Sequence, residues 1–372
     1  MNLQDTLDIK YMEMALDLAK RGMGTVAPNP MVGAVIVKNN IILGKGWHAQ
    51  PGQPHAEPNA IADCIETCED ATIYVTLEPC CHTNKRTPPC TNAILQNKFK
   101  RVVIATLDPN PNVAGNGVKI LEGAGIEVTV GVLKDESQKL NEIFFKNILT
   151  KKPYVHLKMA QTLDGKLSTM SGDSKWITDE NARTLVHQMR LQYDAVMVGR
   201  NTLNNDNPSL NIRMGIDSKD KVPYRIVVGN IRKIDFNTKI FTDEHTNRTI
   251  VLTSIEDYQN ASDEKVQLIK DKKIQIIFTS IKDDKVDIEE GLNKLGDLGI
   301  TSILVEGGGA LASSLLERKL IDKATVFIAP KIIGSGISYF NQSFEKMSEA
   351  LNFNNVEIKK LGNQAMFELY PE

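Results

Sequence analysis

Residues 71–90 read ATIYVTLEPCCHTNKRTPPC, and a short His55-Ala56-Glu57 segment precedes them in the chain. The nearly continuous apolar run ATIYVTLEP is typical of a buried β-strand. Cys80 follows this run directly, and Cys90 opens a segment with helical spacing, TNAILQNK. One neutral imidazole and two thiolates supply three ligands to a tetrahedral Zn²⁺ and leave the fourth position to water. We therefore predict a zinc site formed by His55, Cys80 and Cys90.

Glu57 stands two residues after the predicted imidazole ligand. Zinc lowers the pKa of a bound water toward about 7, and an acid/base group must then carry protons from that water to a leaving amine. We predict this catalytic role for Glu57, because H-x-E followed by P-C is typical of zinc nucleobase deaminases. The alternative is a closed structural zinc site with Cys81 or His82 as a fourth protein ligand, and such a site has no need of Glu57.

All five cysteines lie between Cys64 and Cys90. The first residues of the sequence contain no apolar segment of the signal-peptide type, so the cluster indicates metal binding or catalysis and a cytoplasmic location. Cys64 and Cys68 are spaced by one helical turn, which would also suit a second metal pair. We interpret them as small buried core residues, the more common role of such cysteines.

The composition is that of a globular protein with more than one core. The chain has 372 residues, of which 41% are hydrophobic and 24% charged, so we expect two domains. The formal net charge of -2 predicts no nucleic-acid partner, whereas one or two arginines suffice for a small anion. No run of eighteen apolar residues occurs, which predicts no membrane span.

The spacing of apolar residues divides the chain into elements. Helices are predicted over Asp8–Lys20, Ala56–Cys68 and Asp135–Leu149. A β-hairpin is predicted around residues 38–40. The polar Lys151-Lys152-Pro153 segment interrupts the pattern, and beyond it strand-like and helix-like runs alternate, which predicts a second α/β domain with a mainly parallel sheet. The predicted domains are residues 1–150 and 151–372.

Residues 304–310 read LVEGGGA, which predicts a buried strand, a glycine turn and a helix. Backbone N–H groups at such a helix N-terminus suit a phosphate, although the turn lacks the G-x-G-x-x-G fingerprint of a Rossmann domain. Polar clusters follow three other apolar runs, at residues 161–166, 174–178 and 205–210. Loops after strands bind ligands in α/β sheets, but the same residue types also dominate ordinary turns.

Four stretches, TVAPNPMVGAVIVK, GWHAQPGQPHAE, YVTLEPCCHTNKRTPPC and DPNPNVAGNG, resemble the bifunctional riboflavin-biosynthesis deaminase/reductase family. The resemblance extends over nearly the whole chain. It implies a cytidine-deaminase-like α/β/α sandwich, followed by an α/β domain similar to dihydrofolate reductase. It also implies that Asn29, His48 and Arg86 contact the deaminase substrate.

One spacing departs from the family pattern. The family usually has eight residues between its two cysteine ligands, whereas Cys80 and Cys90 enclose nine. Taking Cys81 as the ligand would restore the usual spacing. We prefer Cys80 because it directly follows Glu78-Pro79, as the motif requires, and because an inserted residue between His82 and Arg86 accounts for the difference.

The resemblance implies a second set of site residues, in the reductase half. The residues implied for a nicotinamide dinucleotide, NADPH, are Ala160, Trp176, Thr202, Asp206, Gly308, Gly309, Ala310, Leu311, Ala312, Ser313 and Ser314. The residues implied for the ribose-phosphate substrate are Ser174, Arg190, Leu210, Arg213 and Glu306. Arginines can pair with a phosphate through two parallel hydrogen bonds. We predict that Asp206 delivers a proton or polarises the substrate during hydride transfer.

The function implied is two consecutive steps of riboflavin synthesis. The first removes the amino group at C2 of 2,5-diamino-6-ribosylamino-4(3H)-pyrimidinone 5′-phosphate with zinc, and the second uses NADPH to reduce the ribosyl group to ribityl. The predicted partner is thus a small pyrimidine ribose phosphate. We expect the protein to bind neither a nucleic acid nor a membrane. A homo-oligomer is compatible with the sequence. Two alternatives stay open: a zinc deaminase acting on a base in RNA, and a non-catalytic protein that binds zinc and a nucleotide.

Overall fold

The structure, a computed structural model, describes residues 3–83, 87–340 and 343–372. The chain forms two compact units, Met1–Lys151 and Lys152–Glu372. The boundary between the two units lies one residue beyond the predicted end of the first domain, at residue 150. In the described ranges, no helix has both the length and the apolar character needed to cross a membrane.

The first unit is built on a five-stranded sheet in the order β2-β1-β3-β4-β5. Its strands are β1 (Gly33–Lys38), β2 (Ile41–Trp47), β3 (Thr72–Val75), β4 (Arg101–Ile104) and β5 (Glu127–Val130). Its helices are α1 (Leu3–Ala19), α2 (Ala56–Ala62), α3 (Cys90–Gln96), α4 (Asn116–Gly123), α5 (Lys134–Leu140) and α6 (Glu142–Thr150). β1 pairs antiparallel with β2 and β3, whereas β3, β4 and β5 are parallel.

Helices cover both faces of this sheet. On one face, α1 buries Met12 and Ala15 in the same apolar cluster as Val35 of β1. On the other face, α2, α3 and α4 contribute Ala60, Ile94, Leu121 and other side chains to a second cluster. Burial on both faces explains why the strands are continuous apolar runs, and it confirms the predicted α/β/α sandwich.

A close approach of strand and helix positions the start of α2. A Cβ on Gly46 of β2 would lie 2.3 Å from the carbonyl oxygen of Ala56 and 2.3 Å from the backbone nitrogen of Ala60. Only glycine leaves room for this contact. The first turn of α2, which contains Glu57 and follows His55, is therefore held against the hairpin.

Two predicted helices differ from the structure. α2 ends at Ala62 instead of extending to Cys68, because the backbone N–H of Ile65 leaves the helical pattern and bonds to the carbonyl of Leu43 in β2. The predicted helix over residues 135–149 is broken at Asn141. Its side chain accepts a hydrogen bond from the N–H of Met31 (2.8 Å) and donates one to the carbonyl of the same residue (2.9 Å).

The second unit contains a nine-stranded sheet in the order β11-β10-β9-β8-β14-β6-β15-β18-β17. Its helices are α7 (Glu180–Gln192), α8 (Arg200–Asp206), α9 (Ile255–Gln259), α10 (Asp263–Asp271), α11 (Ile288–Asp297) and α12 (Gly309–Glu317). Its strands are β6 (Tyr154–Thr162), β7 (Ser168–Thr169), β8 (Ala195–Gly199), β9 (Tyr224–Val228), β10 (Thr249–Ser254), β11 (Gln275–Thr279), β12 (Ile281–Lys282), β13 (Lys285–Val286), β14 (Ser302–Val305), β15 (Lys323–Ala329), β16 (Gly336–Ile337), β17 (Phe353–Leu361) and β18 (Gln364–Pro371).

The sheet is parallel from β11 to β15, and β18 and β17 add an antiparallel edge. One apolar cluster packs α11 and α12 on one face of the sheet, and another packs α8 and α10 on the opposite face. The predicted, mainly parallel α/β domain is confirmed. Because β6, β8, β9 and β14 run in one direction, the loops that follow them meet at the same edge of the sheet.

Candidate active sites

The first unit contains a cavity of about 640 Å³ that is lined by His55, Glu57 and Cys80. His55 is the residue before α2, Cys80 follows the loop after β3, and Cys90 is the first residue of α3. The potential ligand atoms of His55, Cys80 and Cys90 all lie within 4.8 Å of one another. The imidazole Nδ1 is 3.6 Å from the Cys80 Sγ and 3.4 Å from the Cys90 Sγ.

This donor set fits a zinc ion. One imidazole nitrogen and two thiol sulfurs converge on a common point, which is the ligand combination of a catalytic zinc with an open fourth position. Cys81 points elsewhere, since its Sγ lies 3.8 Å from the carbonyl oxygen of Asn112. The structure therefore brings Cys80, and not Cys81, to the other two predicted ligands.

Glu57 is the acid/base group nearest to this donor set. It lies in the first turn of α2, is only 3% exposed, and lines the cavity. Burial, followed by the nearby Cys80 sulfur, raises the pKa of its carboxyl group. A carboxyl group with a raised pKa accepts and returns a proton at neutral pH more readily than an ordinary glutamate.

Asn29 and His48 line the same cavity and bond to each other. The side-chain Nδ2 of Asn29 is 3.0 Å from Nε2 of His48, and Nδ1 of His48 is 3.1 Å from the carbonyl oxygen of Pro54. With Nδ1 donating to that carbonyl, Nε2 is left to accept from Asn29. Burial lowers the pKa of His48, which favours this neutral form. Arg86, predicted to contact the same substrate, lies outside the described residues.

Glu78 and Asp108 belong to this site as well, and the motif analysis assigned them no role. The carboxylate of Glu78 accepts hydrogen bonds from the backbone N–H groups of Asp108 (3.2 Å), Gly115 (2.9 Å) and Val118 (3.3 Å). It thus fastens the loop after β4 beside the cysteine loop. Asp108 lines the cavity, and burial raises the pKa of its carboxyl group to about 6.

A signal for Asp108 is present in the sequence. Asp108-Pro109 follows the run RVVIATL in the same way that Glu78-Pro79 follows TIYVTL. Since β3 and β4 are adjacent parallel strands, both dipeptides emerge at the same sheet edge. Pairing the two apolar runs as parallel strands would therefore have predicted that Asp108 lies near Glu78 and Cys80.

The second unit has its own cavity, of about 630 Å³. Eight of the residues predicted for the reductase half line it, namely Ser174, Thr202, Asp206, Gly308, Gly309, Ala310, Leu311 and Ser314. Burial raises the pKa of the Asp206 carboxyl group, and the charge of Lys175 opposes this shift. A carboxyl group with a raised pKa holds a proton more readily than an ordinary aspartate.

The glycine turn lies at one wall of the second cavity. The Gly308 N–H donates to the Thr202 hydroxyl (3.0 Å), and α12 begins at Gly309. A Cβ on Gly309 would lie 2.5 Å from the carbonyl oxygen of Ser338, so this position has no space for a side chain. The first turn of α12 presents backbone N–H groups, which suit a phosphate.

Five other residues predicted for the reductase half do not line this cavity. The side chains of Ala312 and Ser313 are buried in the unit, and Ala160 and Trp176 are not among the residues that line the cavity. Trp176 is 60% exposed, and the Arg183 guanidinium lies 4.4 Å from its ring centroid. Leu210 is also buried, and packs in the apolar cluster beside α8. Core packing therefore determines where the side chains of Leu210, Ala312 and Ser313 point.

Arg190 and Glu306, both predicted to bind substrate, bind each other. Two guanidinium nitrogens of Arg190 donate to the two carboxylate oxygens of Glu306, at 2.6 and 2.8 Å. Burial opposes ionisation of Glu306, but Arg190 outweighs it and lowers the pKa of the carboxyl group. Arg190 therefore presents no free bidentate face to a phosphate, whereas Arg213 is exposed and donates from Nη1 to the Asn211 side chain (2.8 Å).

Lys158 of β6 lies close enough to Glu306 that the charge of its amine lowers the pKa of the Glu306 carboxyl group. Burial and the nearby Arg190 lower the pKa of the Lys158 amine, although Glu306 opposes the shift. The amine is 5.8 Å from the ring centroid of Phe327. Nothing in the sequence singles out this lysine, because a charged residue within an apolar strand run resembles an ordinary surface position.

Comparisons with known proteins agree with both sites. Residues 5–106 match the family described as "Cytidine and deoxycytidylate deaminase zinc-binding region", and residues 153–367 match the "RibD C-terminal domain". The riboflavin biosynthesis protein RibD of Aquifex aeolicus is 42% identical over 356 residues, which are 96% of this chain and 96% of that protein.

Two solved structures cover the chain almost completely. Acinetobacter baumannii RibD, form 1, is 36% identical with a TM-score of 0.86, and the match covers 99% of each chain. A Thermotoga maritima protein, called a diaminohydroxyphosphoribosylaminopyrimidine deaminase/5-amino-6-(5-phosphoribosylamino)uracil reductase, is 36% identical with a TM-score of 0.84, and the match covers 99% of this chain and 100% of that one. The chain belongs to the RibD family: it is a bifunctional enzyme of riboflavin biosynthesis, with a zinc-dependent deaminase domain and a reductase domain that uses a nicotinamide cofactor.

Proposed function

We propose that the first unit deaminates the diaminopyrimidinone ribose phosphate and that the second unit reduces the resulting aminouracil ribose phosphate with NADPH. The observation that carries the first half is the convergence of His55, Cys80 and Cys90 at a cavity that Glu57 lines. The name of the Thermotoga maritima relative supports both substrates. Net charge -2 favours a small-molecule substrate over a nucleic acid.

In the deaminase, His55, Cys80 and Cys90 would hold zinc, which supplies an activated water when it is bound. Glu57 takes the proton from that water and delivers it to the departing amine, so that ammonia leaves. Asn29 orients the pyrimidine ring, and neutral His48 keeps the Asn29 amide in place. Asp108 lines the cavity at the loop that Glu78 holds in place, where its carboxyl group can form hydrogen bonds with the polar groups of the substrate.

In the reductase, the cavity beside the glycine turn would hold NADPH, with its pyrophosphate at the first turn of α12. When bound, NADPH would supply the hydride that reduces the sugar. Asp206 supplies the accompanying proton to the sugar oxygen. Arg213 would bind the substrate phosphate, and the Arg190–Glu306 pair with Lys158 would hold the sugar hydroxyl groups.

Basic residues that line this cavity support NADPH over NADH as the cofactor. Arg200, Lys233 and Lys285 line it, and none of the three forms an ion pair with another residue in the described ranges. The acidic Asp257 on the same wall is already engaged by Arg232 (2.9 Å) and by the amide of Asn230 (2.5 Å). Unpaired cations beside a neutralised carboxylate suit the 2′-phosphate that distinguishes NADPH.

Two variants test the two halves separately. Ammonia release and NADPH oxidation are measured on the diaminopyrimidinone ribose phosphate for the wild type, Glu57→Gln and Asp206→Asn. Glu57→Gln should lose ammonia release by at least about 100-fold, and NADPH oxidation from this starting substrate should fall with it. Asp206→Asn should release ammonia normally and lose only NADPH oxidation.

Supplying the deaminated substrate is the matched control, because Glu57→Gln should then oxidise NADPH at the wild-type rate. A wild-type protein that releases ammonia but never oxidises NADPH would contradict the proposed reductase reaction. A zinc-loaded wild type that does neither would contradict both proposed substrates and leave only the metal site.

A further inference from the structure

Cys64 and Cys68 form a pair of thiols in the first unit that neither reaction uses. Their Sγ atoms are 2.8 Å apart, which is closer than two non-bonded sulfur atoms normally approach. Cys68 is 4% exposed and belongs to the apolar cluster under α2, whereas Cys64 is half-buried and packs against that cluster. Neither residue is among those that line the zinc cavity.

The backbone on either side holds the two thiols together. The N–H of Cys64 bonds to the carbonyl of Ile61 (3.2 Å), and the carbonyl of Cys68 accepts from the N–H of Ala71 (3.0 Å). On the side of β2, a Cβ on Gly44 would lie 2.9 Å from the Cys64 Sγ. Glycine at this position therefore leaves room for the Cys64 sulfur beside its partner, and the two sulfurs need to approach by less than about 1 Å to reach the disulfide bond length of about 2.05 Å.

We propose that Cys64 and Cys68 form a reversible intramolecular disulfide, with a small disulfide such as oxidised glutathione as the oxidant. The half-buried Cys64 thiolate attacks one glutathione sulfur and expels one glutathione thiolate. The Cys68 sulfur then attacks the Cys64 sulfur of this mixed disulfide and expels the second. Both protein thiols lose a proton, the cysteine pair is oxidised by two electrons, and the glutathione disulfide is reduced to two thiols.

The local environment determines the rate of this exchange. Burial, and then the hydrogen bond with Cys68, raise the pKa of Cys64 to about 12. The attacking species is the thiolate, so oxidation is slow at neutral pH and faster in mildly alkaline buffer. A slow exchange also explains how two adjacent thiols can coexist in the reduced protein.

The experiment uses the zinc-loaded full chain, so that the ligands Cys80 and Cys90 are protected. The protein is incubated with oxidised glutathione in mildly alkaline buffer, unfolded in an alkylating reagent, digested and mapped by mass spectrometry. We expect two of the five cysteines to escape alkylation, in a peptide cross-linked between Cys64 and Cys68. Treatment with dithiothreitol before unfolding should restore alkylation of both.

Two variants sharpen the assignment. Cys81→Ser removes a thiol that does not belong to the pair and should leave the cross-link between Cys64 and Cys68 unchanged. Cys64→Ser should abolish this cross-link. If Cys64→Ser does not fold, the peptide map of the wild-type protein alone still shows whether Cys64 and Cys68 are cross-linked. Alkylation of all five cysteines after prolonged oxidation, or a cross-link that joins Cys80, Cys81 or Cys90 instead, would overturn the proposal.

Discussion

At the scale of single residues, the choice between Cys80 and Cys81 shows what one position decides. The two thiols are adjacent in the chain, yet only the Cys80 Sγ lies beside His55 and Cys90, while the Cys81 Sγ faces the carbonyl of Asn112. The loop after β3 turns the two side chains in different directions. The extra residue before Cys90 therefore does not shift the first cysteine ligand to Cys81.

This orientation predicts opposite effects of two neighbouring substitutions. Cys80→Ser should lower zinc affinity by at least about 100-fold and abolish ammonia release, because serine replaces a thiolate ligand. Cys81→Ser should retain one zinc per chain. Zinc content after dialysis, measured by atomic absorption, checks both variants, and zinc loss in Cys81→Ser alone would reverse the assignment.

The cations of the second cavity support a prediction about the cofactor. Lys233→Gln and Lys285→Gln should each raise the KM for NADPH by roughly 10-fold, since a hydrogen bond to a charged group contributes about 1.5–3 kcal/mol. The KM for NADH should stay unchanged, because NADH has no 2′-phosphate. Steady-state kinetics with both cofactors provide the measurement. Equal effects on the two cofactors would place these lysines elsewhere in the cofactor site.

At the scale of elements, strand ends and helix starts bring the functional groups together. In the first unit, β3 and β4 deliver Cys80 and Asp108 to one sheet edge, where α2 and α3 begin. In the second unit, Glu306 and the glycine turn follow β14, and the turn lines the cavity. Residues distant in sequence become neighbours because parallel strands end at the same edge.

The packing of β6 on β15 buries a histidine whose titration should affect stability. His156 bonds to the hydroxyl groups of Thr325 and Tyr193, and burial, with Lys323 nearby, lowers its pKa from 6.5 to about 3. Below pH 6.5 the unfolded chain takes up a proton that the folded unit does not. The stability from this neutral histidine is therefore complete above that pH and declines as the pH falls toward 3.

The expected slope is at most about 1.4 kcal/mol per pH unit from this one group. Urea unfolding of the second unit at several pH values between neutrality and pH 4 measures it. The variant His156→Asn should be less stable at neutral pH but should show a shallower decline, because it has no imidazole to protonate. An equal decline in both proteins would mean that other groups account for the acid sensitivity.

At the scale of the whole molecule, the two activities rest on two separate cores. Each unit has its own sheet, its own apolar clusters and its own cavity. The zinc donor set lies wholly in the first unit, and the glycine turn lies wholly in the second.

Removal of the metal should separate the two activities. A chelator that strips zinc should abolish ammonia release and leave NADPH oxidation on the deaminated substrate within about twofold of the untreated rate. Added zinc should restore ammonia release, since the same ligands would rebind it. Loss of NADPH oxidation together with the metal would show that zinc also supports the second unit.

Much of this molecule followed from local patterns in the sequence. The apolar runs predicted both sheets, because strands buried on two faces must be apolar throughout. His55, Glu57, Cys80 and Cys90 were predicted as one set, because metal chemistry restricts residue type and spacing. In the second unit, the glycine turn and Asp206 were predicted from their place after strand-like runs and from the family resemblance.

Only the tertiary structure decided which side chains face the cavities. It ended α2 at Ala62 and broke the later helix at Asn141, because contacts with β2 and Met31 outcompete helical hydrogen bonds. It paired Arg190 with Glu306, and it placed Cys64 against Cys68. Such partners are set by packing between elements, and no spacing along the chain specifies them.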